Sequence, residues 1–221
     1  MARRLFGLGP KPVWMWINRI SWNSCAKIWS VLLLKRLLEL DRDWSYALRV
    51  AEKPGLVRNL ARFFAHSGDS WFWGMGMLAL WGLADVFWKR WAVYELWWIS
   101  VLAALVMALK FIIKRRRPEG EWGAIYRNTD PHSFPSGHAA RAFLIAVLAT
   151  FLGPGWLAAL LWIWAPLVAI ARVAMGVHYL SDIIAGAAVG IAVALAGYPI
   201  SLAIFGWISQ VMMPFWGFGL W

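Results

Sequence analysis

Five apolar stretches occupy the second two-thirds of this chain, at about 71–88, 94–113, 139–152, 156–175 and 179–197, each nearly free of charge. Spanning a bilayer as an untilted helix takes about 20 such residues. The pattern therefore predicts an all-α, polytopic transmembrane bundle of five or six spans. Several runs are shorter than that, so their helices are expected to extend into the flanking loops. The short connections KRW (89–91) and GPG (153–155) read as tight turns between antiparallel neighbours. Beyond Pro199 the tail either continues the last helix or lies in the membrane interface.

Residues 1–70 behave differently, and the chain divides into this region and a core at 71–221. The run at 28–40 carries Lys35 and Arg36 in its middle, which would cost roughly 2.5–3.5 kcal/mol each at a bilayer centre. Cations then alternate with Trp, Tyr and Phe around Pro54-Gly55. The region reads as two or more interfacial amphipathic helices; the alternative is a degraded first span at 28–40. The N-terminal 1–19 is basic but lacks the apolar core and small-residue cleavage site of a signal peptide. The 19 tryptophans suit a bilayer, where indole favours the headgroup region. A net charge of +11 would suggest nucleic acid in a soluble protein. Here the cations flank apolar runs, so the expected partner is the lipid bilayer and not nucleic acid. A single cysteine, Cys25, excludes an internal disulfide and a thiolate metal cluster.

Three polar segments interrupt the apolar pattern. In KFIIKRRRP, Lys110 precedes Arg117 by seven residues, two helical turns, so both cations share a face if the helix runs on to Pro118. Lys114, Arg115 and Arg116 read as headgroup anchors. In PSGH, Ser136, Gly137 and a helix N-terminus can point hydroxyl and backbone donors at one phosphate, with His138 at the mouth. In ARVAMGVHYLSD, His178 and Asp182 are four apart. A carboxylate on one imidazole nitrogen leaves the other free as a nucleophile. Arg172 is off-face for a continuous helix, so a break near Gly176 is expected. Cationic anion donors, two histidines and one orienting carboxylate suit phosphoryl transfer through a phosphohistidine.

These segments resemble the type 2 phosphatidic acid phosphatase family, whose site is shared with vanadium haloperoxidases. The family signature is Lys, six residues, Arg-Pro; then Pro-Ser-Gly-His; then Ser-Arg, five residues, His, three residues, Asp. It reads here as Lys110 with Arg117-Pro118, Pro135-Ser136-Gly137-His138, and Arg172, His178 and Asp182. The resemblance covers about 65–200 and implies His178 as nucleophile, Asp182 as its orienting partner and His138 as general acid. Lys110, Arg117, Ser136, Gly137 and Arg172 would hold the phosphate, with no metal and no cofactor. Arg141 and His132 are further candidates for substrate contact, whereas His66 and Asp69 read as loop residues. Ala171 departs from the family, which has Ser there.

The expected function is an integral membrane lipid phosphatase that removes a terminal phosphate from a lipid phosphate or diphosphate. Phosphatidic acid, phosphatidylglycerol phosphate, undecaprenyl diphosphate and lipid A are all candidate substrates. The alternatives are a phosphate- or lipid-binding transporter or flippase without hydrolysis, and a vanadate-holding oxidant. The N-terminal 70 residues carry twelve Lys/Arg against five acids. With five spans, the positive-inside rule would put the site at the cytoplasmic face. The family resemblance implies a bacterial inner membrane with the site facing the periplasm.

Overall fold

The computed structural model describes residues 22–50, 53–120, 122 and 130–216. The N-terminal stretch 1–19 and, in the loop between Arg117 and Pro135, residues 121 and 123–129 thus lie outside the described residues. Among the described residues there are seven α-helices: α1 (Trp22–Ala47), α2 (Leu56–Ser67), α3 (Ser70–Leu83), α4 (Val86–Ile113), α5 (Gly137–Leu152), α6 (Gly155–Ala174) and α7 (Leu180–Trp216). Residues up to Leu40 and residues from Asp41 onward form two compact units. In α4, in α6 and over Leu180–Ala203 of α7 the helices are long and apolar enough to cross a membrane; α5 is apolar but shorter. The molecule is an integral membrane protein.

α5 is the hub. Ala139, Ala140, Leu144, Ile145, Ala146, Leu148 and Ala149 are all fully buried, and the helix packs against α4, α6 and α7. Close packing here needs small residues. A Cβ at Gly186 or Gly190 of α7 would collide with the carbonyl oxygens of Ser136 and Ala140, so glycine lets the two backbones touch where α5 begins. The outer surface shows the reverse pattern. Trp71, Phe72, Met75, Leu78 and Trp81 of α3 and Trp97, Phe111 and Ile112 of α4 are exposed. An apolar exterior of that extent is a lipid-facing one.

The run at 71–88 is two helices, not one. α3 stops at Leu83, and Asp85 caps α4 by accepting from the Trp88 N–H at 3.2 Å. The expected turn at 89–91 accordingly lies inside α4. A capping acid starts a helix, while Lys89 and Arg90 are good helix formers that do not interrupt one. The GPG turn does separate α5 from α6, and α7 continues through Pro199. α2 buries Ala61 and Ala65 against Ala171 and Ala174 of α6 and against Met175, which caps that helix. Ala171, where the family has Ser, thus packs against α2.

The α2–α3 turn is held from three sides. Trp73 Nε1 donates to Ser67 O at 2.9 Å, Trp164 Nε1 to Ser67 Oγ at 2.8 Å, and Arg141 Nη1 to Gly68 O. A Cβ at Gly68 would stand 2.8 Å from Val168 Cγ1, so only glycine fits there. The turn ends on Asp69.

Candidate active site

Lys110 and Arg117 come together, but not along one helix face. α4 ends at Ile113, where Lys114 takes a left-handed conformation (φ 51°) and its N–H bonds to Lys110 O at 2.9 Å. The helix has therefore stopped before Pro118 is reached, which corrects the expectation that proline ends it. The strand-like segment that follows is fixed by Ser133 N–H donating to Arg115 O at 2.8 Å and by an antiparallel bridge between Arg116 and His132. It carries Arg117 back beneath Lys110. Arg117 Nε donates to Asp130 O at 2.7 Å, Nη2 to Asp130 Oδ2 at 2.7 Å, and Nη1 to Val177 O at 2.9 Å. Lys110 Nζ meets the same Asp130 oxygen.

Ser136 is the N-cap of α5. Its Oγ accepts from the Ala139 N–H at 3.5 Å, and its own N–H donates to Asp182 O at 3.0 Å. Gly137 and His138 form the first helical positions, with backbone donors facing outward as that pattern predicts. His138 Nε2 lies 2.7 Å from Asp69 Oδ1. An ionised carboxylate only accepts, so Nε2 carries the hydrogen. Asp69 Oδ2 is 3.1 Å from His66 Nδ1, and His66 is the most exposed of the three side chains (47%, against 19% for Asp69 and 18% for His138). The result is a His66–Asp69–His138 chain running inward.

The break expected near Gly176 is present. α6 ends at Ala174, Gly176 has φ 67°, and the Val177 N–H returns to Arg172 O at 3.1 Å. His178 precedes α7 and is not on it, whereas Asp182 lies in its first turn. Their pairing therefore comes from a turn: the Tyr179 N–H donates to Asp182 Oδ2 at 2.9 Å, and His178 Nδ1 stands 3.4 Å from that oxygen. Arg117 Nη1 is 3.1 Å from His178 Nε2. Arginine has donors only, so Nε2 is the acceptor and Nδ1 bears the hydrogen toward Asp182. Burial, and then the charges of Arg117, Arg172 and Lys110, hold the His178 pKa well below the usual imidazole range. It is a neutral base whose Nε2 faces the Arg117 guanidinium.

A cavity of about 230 Å³ joins these pieces. Lys110, Arg117, Asp130, Gly137, His138, Arg141, Arg172 and His178 line its polar side. Ile99, Leu102, Ala103, Val106 and Met107 of α4 form an apolar wall. Ser136 and Asp182 are fully buried behind it. His132 stands apart, its ring edge-on to Phe111 at 6.0 Å.

Four participants escaped the sequence reading. Arg115, read as a headgroup anchor, is a half-buried tie: Nη1 donates to Asp182 Oδ1 at 2.7 Å and to Ser181 Oγ at 2.6 Å, and Nη2 to Asp41 Oδ2 at 2.6 Å. Its guanidinium also lies 4.0 Å above the Tyr179 ring. Asp41 accepts in addition from the Ser181 N–H at 2.9 Å. Asp69, read as a loop residue, is the partner of His138, and Asp130 sits between Lys110 and Arg117. The usable signal was scarcity: the chain has only 11 acids, and each that neighbours a cation-rich site needs an explanation. Burial disfavours the Asp69 carboxylate, yet hydrogen bonds from His138 and His66 hold its pKa below the ordinary range.

The sequence matches the PAP2 superfamily over residues 91–205. It is 34% identical over 122 residues to the lipid A 1-phosphatase of Porphyromonas gingivalis, covering 53% of this chain but only 25% of that protein. It is 31% identical over 147 residues to decaprenylphosphoryl-5-phosphoribose phosphatase of Mycobacterium tuberculosis, covering 64% of this chain and 78% of that one. The fold is similar to the crystal structure of a transmembrane PAP2-type phosphatidylglycerolphosphate phosphatase from Bacillus subtilis, with TM-score 0.58 and 24% identity over 76% of this chain and 88% of that one. Aquifex aeolicus LpxE is similar as well, with TM-score 0.57 and 26% identity over 73% and 94%.

Proposed function

The chain belongs to the PAP2 superfamily of membrane phosphatases, and from that premise we propose that it removes a terminal phosphate from a lipid phosphate or diphosphate through a phosphohistidine. One observation carries the reading. The cavity pairs a cationic, two-histidine end with an apolar wall along α4, a helix long enough to cross the membrane. A phosphate at the polar end leaves room for the acyl or prenyl part of the same molecule along Val106, Leu102 and Ile99. A soluble phosphate ester would have no use for that wall.

In the proposed reaction His178 Nε2 attacks phosphorus while Asp182 takes the developing positive charge through Nδ1–H. Burial and the charges of Arg172 and Arg141 work against the acid form of His138, and the hydrogen bond and charge of Asp69 oppose them; in that form His138 gives its proton to the leaving lipid oxygen as the P–O bond breaks. Water then gives a proton to the now neutral His138 as its oxygen attacks phosphorus, which breaks the P–N bond, releases phosphate and restores both histidines. Lys110, Arg117, Arg172 and the amides at Gly137 and His138 stabilise the equatorial oxygens. A transporter that only binds phosphate would not need a His178 tautomer fixed in this way. We place the catalysis in a core of five or six spans at 71–221, which draws on Asp41 and Asp69 from the largely interfacial region before it. Arg58 and Arg62, 5.2 and 5.6 Å from the centre of the Trp122 ring, suit an anionic headgroup at the rim. We place the site at the periplasmic face.

The deciding assay is phosphate release by the purified protein from phosphatidic acid, phosphatidylglycerol phosphate, undecaprenyl diphosphate and lipid A. Release from at least one is expected, and release from none would refute the enzyme reading. Vanadate, which mimics pentacoordinate phosphorus, should inhibit from the outside of sealed right-side-out vesicles. Inhibition only after permeabilisation would move the site to the cytoplasmic face. Millimolar EDTA should leave the rate unchanged, because the cations here are side chains; a loss of activity would mean that a metal is required.

Asp69→Asn removes the carboxylate that favours protonated His138. The expected result is a fall in kcat of about 10- to 100-fold with little change in KM, since a positioned acid contributes about 10²–10⁴ in all. The basic limb of the pH–rate profile should move to lower pH, because the acid form is lost sooner without the neighbouring negative charge. A lowered kcat with an unmoved profile would reduce Asp69 to a packing residue.

A further inference from the structure

Asp130 lies between two of the cavity's cations, Lys110 and Arg117. Its Oδ2 accepts from both Lys110 Nζ and Arg117 Nη2, and its backbone oxygen accepts from Arg117 Nε. Burial works against its charge, but the hydrogen bond and charge of Lys110 and the charge of Arg117 keep its pKa below the usual carboxylate value, so it is an anion. The group that binds between Lys110 and Arg117 must therefore replace a carboxylate already there. We propose that Asp130 is a specificity-determining residue, an internal anion that lets a dianionic phosphomonoester into the site and turns away the singly charged phosphodiesters of the surrounding membrane.

The inference rests on the reading of this cavity as a phosphate site. A membrane enzyme faces a selectivity problem that a soluble one does not. Ordinary anionic phospholipids are phosphodiesters and surround the site in large excess, and a bare cluster of Lys110, Arg117 and Arg172 would hold them. A carboxylate matches a phosphodiester in charge and in its two acceptor oxygens, so exchanging one for the other gains nothing. Asp130 also competes from a tether, at high effective concentration. A phosphomonoester near neutral pH carries about −1.5 to −2 charge and three acceptor oxygens. It offers the cations one more oxygen and nearly one more charge than Asp130 does. Arg172, buried on the same cavity, is a natural recipient of that surplus.

The test is equilibrium binding of two probes to the full-length protein in detergent at pH 7.5: inorganic phosphate, mainly a dianion, and dimethyl phosphate, a monoanionic diester. Wild type should prefer phosphate by at least about tenfold. In Asp130→Asn, dimethyl phosphate should tighten and the preference should shrink by about tenfold, while Asp130→Glu keeps it. An unchanged ratio in Asp130→Asn, or equal weakening of both probes, would overturn the proposal and leave Asp130 as a loop tether. If the Asn variant does not fold, wild type decides. Its phosphate release should change less than twofold as phosphatidylglycerol is raised to the majority lipid, and competitive inhibition by that diester would refute selection by charge. Binding does not require turnover, so a failure of the phosphohistidine mechanism would show separately, as wild type that binds phosphate but releases none from lipid.

Discussion

His178→Ala is expected to lower phosphate release from every lipid substrate by roughly 10⁴-fold or more, while the protein remains folded. A covalent mechanism without its nucleophile retains only the contribution of binding and charge stabilisation. The side chain is inside the cavity and not in the helix-packing core, and Val177 O and Asp182 keep their contacts with Arg117 and with Arg115 and Tyr179 N–H. Its loss therefore removes chemistry more than structure. Wild type quenched into alkali during turnover should carry phosphate on His178. A variant that keeps near-normal release, or a phosphate trapped elsewhere, would end the phosphohistidine mechanism.

Arg115→Ala is the largest expected structural effect. Asp182 is fully buried and the Asp41 side chain is only 12% exposed, and both would be left without their shared cation. Breaking a buried pair from one side costs about 3–5 kcal/mol, because the surviving charge stays out of water. Unfolding in detergent should register that loss, and activity should fall with it as Asp182 loses its anchor. Arg115→Lys should recover less than half, since one ammonium cannot reach Asp182, Ser181 and Asp41 as the planar fork does. Arg116→Ala is the control and should unfold with wild type. Equal behaviour of the Arg115 and Arg116 variants would return Arg115 to the role of a headgroup anchor.

That contrast marks where reading the sequence works and where it stops. Lys110, Arg117, Ser136, His138, Arg172, His178 and Asp182 were legible because chemistry ties them to fixed spacings, and the structure gathers them around one cavity or directly behind it. The route was less legible. Lys110 and Arg117 meet through a left-handed cap at Lys114 and an extended return, which spacing on a helix does not foresee. His178 and Asp182 likewise meet across a turn. Arg115 was hidden by its neighbours, since four adjacent cations before a proline look alike until the backbone turns one inward. Asp41, Asp69 and Asp130 act across separations that no local pattern records. The division of 71–88 into two helices turned on a single capping acid, Asp85, against a continuous apolar signal.

The tie made by Arg115 also has a consequence in time. It joins residue 41 to residues 181 and 182, so its last partner is synthesised 182 − 41 = 141 residues after its first. At about 5–20 residues per second this is a delay of roughly 7–28 s. Asp41 first waits for Arg115, and from then until Ser181 and Asp182 are made the two have only each other or water. The nascent chain therefore holds an incomplete ionic knot at the membrane surface until α7 begins. A chain that has not yet made the start of α7 lacks Ser181 and Asp182, and so it cannot close this tie.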